Sequence, residues 1–263
     1  MDDESEFRGQ VRANIAALGA DKALTDAAWA WALSSSRHNY TYNFCWLGRP
    51  IIQFPQDIVA VQELIWQVKP DLVIETGIAR GGSLLLSASI LALLDYCEAA
   101  STGSGSLDLV NPRRRVVGID IDVRPHNRKA IEEHPLAHRI EMIQGSSISP
   151  EVVSRVTELA MQAGRVIVFL DSNHTHEHVL AELHAYAPLV TTGSYCVVFD
   201  TGIEDAPAEM FDNRPWGPGN SPKTAVHSFI ANHPDFEIDR SIHDKLQITV
   251  ARDGYLRRVS GSR

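Results

Sequence analysis

A short apolar run, a turn with three glycines and a second apolar run limit the fold of this chain most. Residues 73–83 read Val-Ile-Glu-Thr-Gly-Ile-Ala-Arg-Gly-Gly-Ser, and a helical apolar pattern follows over 84–94. This order predicts strand, tight turn and helix, because glycine permits positive φ and leaves room for a ligand against the backbone. The unpaired N–H groups at the start of such a helix suit a nucleotide or a carboxylate. The glycine spacing is not that of the dinucleotide fingerprint, and an ordinary turn between strand and helix is the alternative.

From residue 55 onward, runs with the length of strands alternate with amphipathic runs. The predicted strands are 72–74, 116–120, 140–143, 165–171 and 193–200. The predicted helices are 56–68, 83–97, 127–134, 150–163, 176–187 and 223–232. This alternation predicts right-handed βαβ units and an α/β fold with a mostly parallel sheet covered on both faces. Two later runs, 236–240 and 247–251, suit antiparallel strands at the sheet edge, and the Ser- and Gly-rich residues 100–111 suit a surface loop.

The first 54 residues have a different pattern. Apolar residues recur at helical spacing over 6–35, and residues 37–48 are aromatic and polar without a period. The second segment could be a substrate lid or, equally, a structural arm or dimer contact. We therefore expect N-terminal helices with a possible lid over 1–54 and one compact α/β domain over 55–263.

Composition excludes several classes of function. The net charge is −9 over 263 residues, which argues against nucleic-acid binding, and the basic run 113–115 is predicted to be a solvated strand entry. The acidic residues 1–6 lack the features of a signal peptide, and the sequence predicts no apolar stretch long enough to span a bilayer, so we expect a cytoplasmic protein. The spacing of Cys45, Cys97 and Cys196 supports neither a zinc ribbon nor a disulfide scaffold, and the last two are predicted to be buried.

Polar residues stand at the carboxyl ends of all five predicted strands. They are Glu75, Asp120, Gln144, Asp171 and Asp200. In open α/β sheets, ligands lie outside these strand ends. Four carboxylates at one edge repel one another unless a cation or ligand hydroxyls compensate.

The second and third strand ends suit a nucleoside. Asp120 stands where nucleoside-binding α/β proteins place an acid that accepts both ribose hydroxyls, with a helix cap as its other possible role and Asp122 as a competing candidate. Gln144, Gly145 and Ser146 could contact the edge of an adenine, although this position is a loop in any α/β protein.

The fourth strand ends in the densest group of polar residues. Asp171 and Asp200 are the oxygen ligands that Mg²⁺ prefers, and His174 could take a proton from a substrate hydroxyl near neutral pH. His176 and His178 are predicted to lie on a solvated helix surface. Histidines at alternate positions do not share a helix face, so a three-histidine zinc site is not expected.

Residues 214–222 form a loop with three prolines, two glycines and Trp216. A rigid loop between a strand-end acid and a helix can hold an aromatic ring at the mouth of a site. A structural Ω-loop is the alternative.

Four segments together resemble one known family. They are 70–83, 118–127, 170–179 and 214–226, and the resemblance runs over roughly 40–250. The first, with Glu-x-Gly-x-x-x-Gly, resembles the first motif of S-adenosylmethionine (SAM) methyltransferases. The chain resembles the cephalosporin hydroxylase-like family, which includes rhamnosyl and other sugar O-methyltransferases. This implies a SAM-dependent, Mg²⁺-dependent O-methyltransferase with a Rossmann-like fold.

The resemblance also assigns residues. The implied SAM-binding residues are Glu75, Thr76, Gly77, Gly81, Gly82, Ser83, Asp120, Gln144, Gly145, Ser146 and Asp171. Asp171 and Asp200 match the first and last metal ligands, and His174 matches a catalytic histidine. Phe199 stands where the family usually has a glutamate ligand, which weakens the metal site or shifts a ligand to water or to Thr201.

The implied reaction methylates a hydroxyl of a sugar or a glycosylated natural product. We expect the protein to be a homo-oligomer without a nucleic-acid or membrane partner. One alternative is a non-haem iron oxygenase with Asp171, His174 and His176 as ligands. Another is a non-catalytic SAM-binding scaffold, which Phe199 suggests.

Overall fold

The computed structural model describes residues 3–103 and 106–261, arranged around a seven-stranded sheet. The helices are α1 (Asp3–Ala20), α2 (Lys22–Ser36), α3 (Pro55–Val68), α4 (Gly82–Thr102), α5 (Pro125–Glu132), α6 (Pro150–Met161), α7 (His176–Tyr186), α8 (Pro222–Ile230) and α9 (Arg240–Leu246). The strands are β1 (Phe44–Trp46), β2 (Arg49–Ile51), β3 (Leu72–Thr76), β4 (Arg115–Asp120), β5 (Ile140–Gln144), β6 (Val166–Leu170), β7 (Tyr195–Val198), β8 (Phe236–Ile238) and β9 (Tyr255–Arg258).

The order of the large sheet is β5-β4-β3-β6-β7-β9-β8. β3 to β7 are the five predicted strands, and the pairs β5·β4, β4·β3, β3·β6 and β6·β7 are parallel. β9 pairs antiparallel with both β7 and β8. Among the five parallel strands β3 lies at the centre, between β4 and β6, where the chain changes the side on which it adds strands. A crevice opens at such a point, outside the carboxyl ends of the strands.

The strands alternate between two apolar layers. Val73 and Phe169 pack on the side of α3 and α4, whereas Ile74, Val168 and Cys196 pack on the side of α6, α7 and α8. Successive side chains of a strand point to opposite faces, so each strand serves both layers. The mostly parallel sheet with helices on both faces, predicted from the sequence, is confirmed.

The predicted edge strand over 247–251 is wrong, and β9 takes its place. Asp57 of α3 accepts hydrogen bonds from Thr249 Oγ1 at 2.5 Å, Tyr255 OH at 3.1 Å and the Val250 backbone N–H at 3.1 Å. The segment bonds to a helix instead of a strand, so it is irregular despite its apolar pattern. The chain pairs with β7 only from Tyr255 onward.

The predicted helix over 6–35 is two helices. Asp21 separates α1 from α2 and caps α2 by accepting a hydrogen bond from the Leu24 N–H at 3.0 Å. α1 packs against α9, yet none of its residues is buried. Phe7 is 60% exposed, so the apolar pattern of this helix did not indicate a buried face.

Helix α4 runs to Thr102, beyond the predicted helix end at 97 and into the predicted loop over 100–111. It is long and apolar enough to cross a membrane by length and composition, contrary to the expectation from sequence, and half of its most apolar 18-residue window is buried in the protein. Cys97, near its end, is exposed and not buried as predicted. The buried residues of α4 all lie between Gly82 and Leu94, so the end of the helix after Leu94 is its more exposed part.

The basic run at the start of β4 is not wholly solvated. Arg114 is buried, with 4% exposure, and forms ion pairs with Asp95 and with Glu98, the latter at 2.8 Å. Arg139 joins the same carboxylate of Asp95 at 2.5 Å. Arg114 therefore stabilises the packing of α4 on the sheet, because buried charges require such partners.

Candidate active site

The glycines after β3 allow chain segments to approach one another. Gly77 has φ +89°, and a Cβ at this position would collide with the carbonyl oxygen of Asp171. A Cβ at Gly81, with φ +83°, would meet a side chain of α5, and one at Gly82 would meet the backbone of β2. The three glycines are therefore required by close packing of the protein itself, whatever ligand lies beyond them.

Asp120 at the end of β4 holds this turn in place. Its Oδ2 accepts hydrogen bonds from the backbone N–H groups of Ile78 at 2.9 Å and Ala79 at 3.2 Å. Its Oδ1 accepts one from the Asp122 N–H at 3.1 Å. The side chain of Asp122 itself is 69% exposed, so the competing candidate points to solvent.

A cavity of about 370 Å³ opens above the turn; we call it the Asp120 cavity. Four of the residues expected to bind SAM line it, and these are Gly77, Asp120, Ser146 and Asp171. Ser147, Ser172, His178 and Trp216 also line it. The turn after β3 and the ends of β4, β5 and β6 thus meet at one crevice.

Other residues expected to bind SAM lie behind the cavity wall or outside it. Thr76 is fully buried, and its carbonyl oxygen accepts a hydrogen bond from the Asp171 N–H at 3.0 Å. The Gly145 N–H donates to the carbonyl oxygen of Asp120 at 2.9 Å. Gln144 is exposed, with its Oε1 3.4 Å from the Arg128 guanidinium. Thr76 and Gly145 support the wall. The exposed Gln144 does not line the Asp120 cavity, and its contact to adenine stays a prediction.

Glu75 and Ser83 line a separate small cavity beneath the site. It has about 10 Å³, room for one water molecule, and it also contacts Asp171 and Phe199. Burial raises the pKa of the Glu75 carboxyl to about 7, and a hydrogen bond from Ser83 opposes this shift. The acid of the first motif thus faces α4 and the core and not the Asp120 cavity.

Asp171, His174 and Asp200 meet at the carboxyl ends of β6 and β7. One ligand atom of each lies within 4.8 Å of the others. His174 Nδ1 is 3.3 Å from Asp200 Oδ2, and its ring meets Trp216 edge-on, with 4.8 Å between centroids. Burial, and then the charge of Asp200, raise the pKa of Asp171 well above its usual range. Two carboxylates and an imidazole in this arrangement can hold a divalent cation, which would relieve the repulsion between the acids.

The side chains of Phe199 and Thr201 add no ligand to the metal cluster. Phe199 is buried in the core, with its ring 6.2 Å from that of Phe169. Thr201, the suggested replacement ligand, is fully buried, and its hydroxyl donates to the carbonyl oxygen of Val250 at 3.2 Å. The protein ligands available for a cation here are therefore Asp171, His174 and Asp200 within the described parts of the chain.

A second, larger cavity of about 510 Å³ lies on the other side of this cluster; we call it the Trp29 cavity. Its walls include α2, part of the aromatic segment predicted as a lid, and the residues before Trp216. His174 and Asp200 line this cavity, and Trp216 lines both cavities. The indole N–H of Trp29 donates to the Asp205 carbonyl oxygen at 3.1 Å and so ties α2 to the wall.

The prediction that His176 and His178 are solvated is wrong. His176 Nδ1 lies 2.8 Å from the Thr224 hydroxyl. His178 lines the Asp120 cavity, and its Nε2 is 3.1 Å from Ser147 Oγ. His176 therefore does not join Asp171 in the facial triad of an iron oxygenase. The position of His178 in the cavity was missed from the sequence, although its spacing from Glu182 (i, i+4 on α7) could have indicated a buried pair.

Comparison with known proteins identifies the family. A family model described as Rhamnosyl O-methyltransferase/CmcI matches residues 38–259. The chain belongs to the rhamnosyl O-methyltransferase/CmcI family. The rhamnosyl O-methyltransferase of Mycobacterium leprae (strain TN) is 27% identical over 222 residues, covering 83% of this chain and 85% of the relative. That of Mycobacterium tuberculosis (strain ATCC 25618 / H37Rv) is 27% identical over 233 residues, covering 86% and 84%.

Solved structures share the fold of this family member. The apo structure of CmcI-N160 aligns with a TM-score of 0.54 at 16% identity, covering 84% of this chain and 78% of that one. The Mg-SAM structure of CmcI-D160 gives the same TM-score and identity, covering 83% and 78%. Family membership confirms the expected fold class and the expected class of enzyme, a SAM-dependent O-methyltransferase, over the iron oxygenase and scaffold alternatives.

Proposed function

We propose that the chain transfers a methyl group from SAM in the Asp120 cavity to a sugar hydroxyl in the Trp29 cavity. One observation carries this proposal: the cluster of Asp171, His174 and Asp200 stands where the two cavities meet. Asp171 lines the first, His174 and Asp200 line the second, and Trp216 lines both. A donor and an acceptor bound in these cavities would have their reacting atoms at the cluster, which is the proximity that group transfer requires.

The Asp120 cavity fits the donor. Asp120 lines the cavity with its carboxylate already oriented by backbone N–H groups. Its Oδ1 accepts only the Asp122 N–H among these bonds and so retains a lone pair for a ribose hydroxyl. Gly77 and Asp171 form the part of the wall nearest the metal cluster, where the methionine end of SAM would place its methyl group.

The cluster fits a divalent cation, as the oxygens of Asp171 and Asp200 are the ligands that Mg²⁺ prefers. Bound there, Mg²⁺ would lower the pKa of the acceptor hydroxyl. With the cation held by the two carboxylates and not by His174, this histidine, oriented by Asp200 and Trp216, would accept the proton. The hydroxyl oxygen would bond to the methyl carbon as the bond from that carbon to sulfur breaks. S-adenosylhomocysteine (SAH) leaves as the other product.

The Trp29 cavity suits a saccharide. Trp29, Tyr42, Phe211 and Trp216 line it, and the flat apolar faces of sugars stack on such rings. The relatives named rhamnosyl O-methyltransferases make a rhamnosyl group the first acceptor to test.

Residues 1–54 would then act as the acceptor-side cover of the catalytic domain over 55–263. The cytoplasmic location and the homo-oligomer stay predictions, and size-exclusion chromatography checks the second.

Metal removal tests the proposal. Enzyme treated with EDTA should lose most of its SAH production on an aryl rhamnoside and recover it with Mg²⁺. Asp171→Asn should lose the recovery, because the amide is a poorer ligand than the carboxylate. Full turnover by the EDTA-treated enzyme would contradict the metal role.

Calorimetry separates the outcomes. We expect Asp171→Asn to bind SAH within a few-fold of wild type, and the exposed control Asp122→Asn to keep both binding and turnover. SAH binding without turnover on any glycoside would contradict the proposed class of acceptor.

A further inference from the structure

A buried carboxylate lies behind the Asp120 cavity and takes no part in the proposed transfer. Glu182 of α7 has no exposed surface. Its Oε1 accepts a hydrogen bond from Ser172 Oγ at 2.7 Å and lies 3.5 Å from His178 Nε2. Its Oε2 is buried without a hydrogen-bond partner among residues 3–103 and 106–261. Burial of a carboxylate is costly, which suggests that this one serves its histidine neighbour.

His178 presents one edge to this carboxylate. The polar contacts of its ring run through Nε2, which lies 3.1 Å from Ser147 Oγ and 3.3 Å from Ser172 Oγ besides its contact to Glu182. Ser172 gives its own hydrogen to Glu182, so its oxygen faces Nε2 with lone pairs. These acceptors place the ring proton on Nε2, and the Nδ1 of a neutral histidine is then a hydrogen-bond acceptor.

The position of His178 determines which part of a nucleoside it meets. His178 lines the Asp120 cavity next to Ser147, which follows β5, the strand beside β4. Tyr186 OH donates to the Ser147 carbonyl oxygen at 2.5 Å and fixes that residue from below. With the ribose on Asp120 and the methionine end toward Asp171, the base extends to the side of Ser147 and His178.

We propose that His178, oriented by Glu182, recognises the adenine of SAM, with Nδ1 accepting a hydrogen bond from the exocyclic amino group. This inference rests on the proposed function, because it takes SAM as the ligand of the Asp120 cavity. Adenine carries this amino donor, whereas hypoxanthine carries a carbonyl acceptor in its place. His178 is then a specificity residue for the cofactor, and Glu182 is a positioning residue.

The test compares SAH with S-inosylhomocysteine, in which a carbonyl oxygen replaces the adenine amino group. By calorimetry, wild type should prefer SAH by about 10-fold, the factor that one well-placed hydrogen bond contributes. His178→Ala should bind SAH more weakly by a similar factor and lose the preference. The control His227→Ala, whose side chain is 53% exposed, should keep it. An unchanged preference in His178→Ala overturns the proposal.

Glu182→Gln tests the positioning role. A glutamine amide can donate to Nε2, which moves the ring proton to Nδ1, so the preference for SAH should shrink or reverse. The ratio of two affinities measured on one sample does not depend on its folded fraction, so a loss of stability does not obscure the result. The wild-type preference persisting in Glu182→Gln would contradict the role of Glu182. Absence of SAH binding in wild type would instead refute the proposed function.

Discussion

His174 is held from two sides, by Asp200 Oδ2 at 3.3 Å and by the edge-on ring of Trp216. A histidine that is held in one orientation where two cavities meet can act as a general base, whereas a mobile surface histidine is not positioned to do so. The neighbouring histidines differ from it, because His176 bonds to Thr224 and His178 lines the Asp120 cavity.

We therefore expect His174→Ala to lower kcat by ~10²–10⁴-fold, the usual loss when a positioned base is removed. The affinity for SAM should change little, since His174 lines the Trp29 cavity. Steady-state kinetics with SAM titrated by calorimetry measures both. His178 is not a neutral control, and the exposed His227 takes that place. Equal rates for His174→Ala and His227→Ala would contradict the role of His174 as the base and would mean that the hydroxyl is activated without it.

Gly77 gives a second prediction for single residues. The Cβ of a larger side chain here would meet the Asp171 carbonyl oxygen. Together with φ +89°, this clash should make Gly77→Ala unstable by about 1–3 kcal/mol without any ligand. Thermal unfolding of the ligand-free protein measures the effect, with Gly48→Ala as a control because its Cβ would meet no atom within 4 Å despite a φ of +84°. A Gly77→Ala protein no less stable than Gly48→Ala would contradict this.

At the scale of elements, Asp57 joins α3 to the segment before β9. Three hydrogen bonds converge on its carboxylate, from Thr249, Val250 and Tyr255. Burial, only partly opposed by these bonds, raises its pKa from 3.8 to about 6. At pH values between about 4 and 6, Asp57 is therefore protonated in the folded protein and ionised in the unfolded chain.

The sign of the pH dependence follows. The stability contributed by the protonated Asp57 is fully present below about pH 4 and is lost as pH rises through about 6. The loss amounts to about 3 kcal/mol, because the pKa rises from 3.8 to about 6 on folding and each pKa unit corresponds to about 1.36 kcal/mol. Asp57→Asn keeps a polar group of the same shape without this titration, so its free energy of unfolding should fall less between pH 4 and 6.5. Denaturant unfolding at the two pH values measures this, and identical falls in both proteins would exclude Asp57 as a cause.

At the scale of the molecule, the N-terminal helices complete a cavity whose other walls come from the C-terminal half. Trp29 bonds to the Asp205 carbonyl oxygen, and Arg252 lies over its ring, with the guanidinium carbon 4.6 Å from the centroid. Gly202 leaves the space for this ring, because a Cβ there would meet it. Residues 29–54 thus contribute directly to the wall of the Trp29 cavity.

We expect Trp29→Ala to raise the KM for the acceptor on the order of 10-fold, because an aromatic wall is removed. The affinity for SAH should be unchanged, since Trp29 does not line the Asp120 cavity. Trp66→Ala is the matched control, as this tryptophan lies on α3, 44% exposed and away from both cavities. A rise in KM of the same size in both variants would argue against the N-terminal cover.

The sequence by itself determined the α/β class, the five parallel strands and the strand-end residues Asp120, Asp171 and Asp200. Local patterns suffice for these features, because the alternation of apolar runs is a property of neighbouring residues and parallel strands bring their carboxyl ends to one edge. The same patterns misplaced the last edge strand, since the bonds of residues 247–251 to Asp57 join positions far apart in the chain.

Only the tertiary structure decided which of the predicted residues line a cavity. It turned Glu75 and Ser83 toward the core, left Gln144 in solvent and brought His178 into the Asp120 cavity. It also joined Trp29 to a wall formed some 170 residues later. Whether a side chain on a strand end or a helix faces a cavity depends on the packing of elements that are distant in sequence, and no local pattern of residues records that packing.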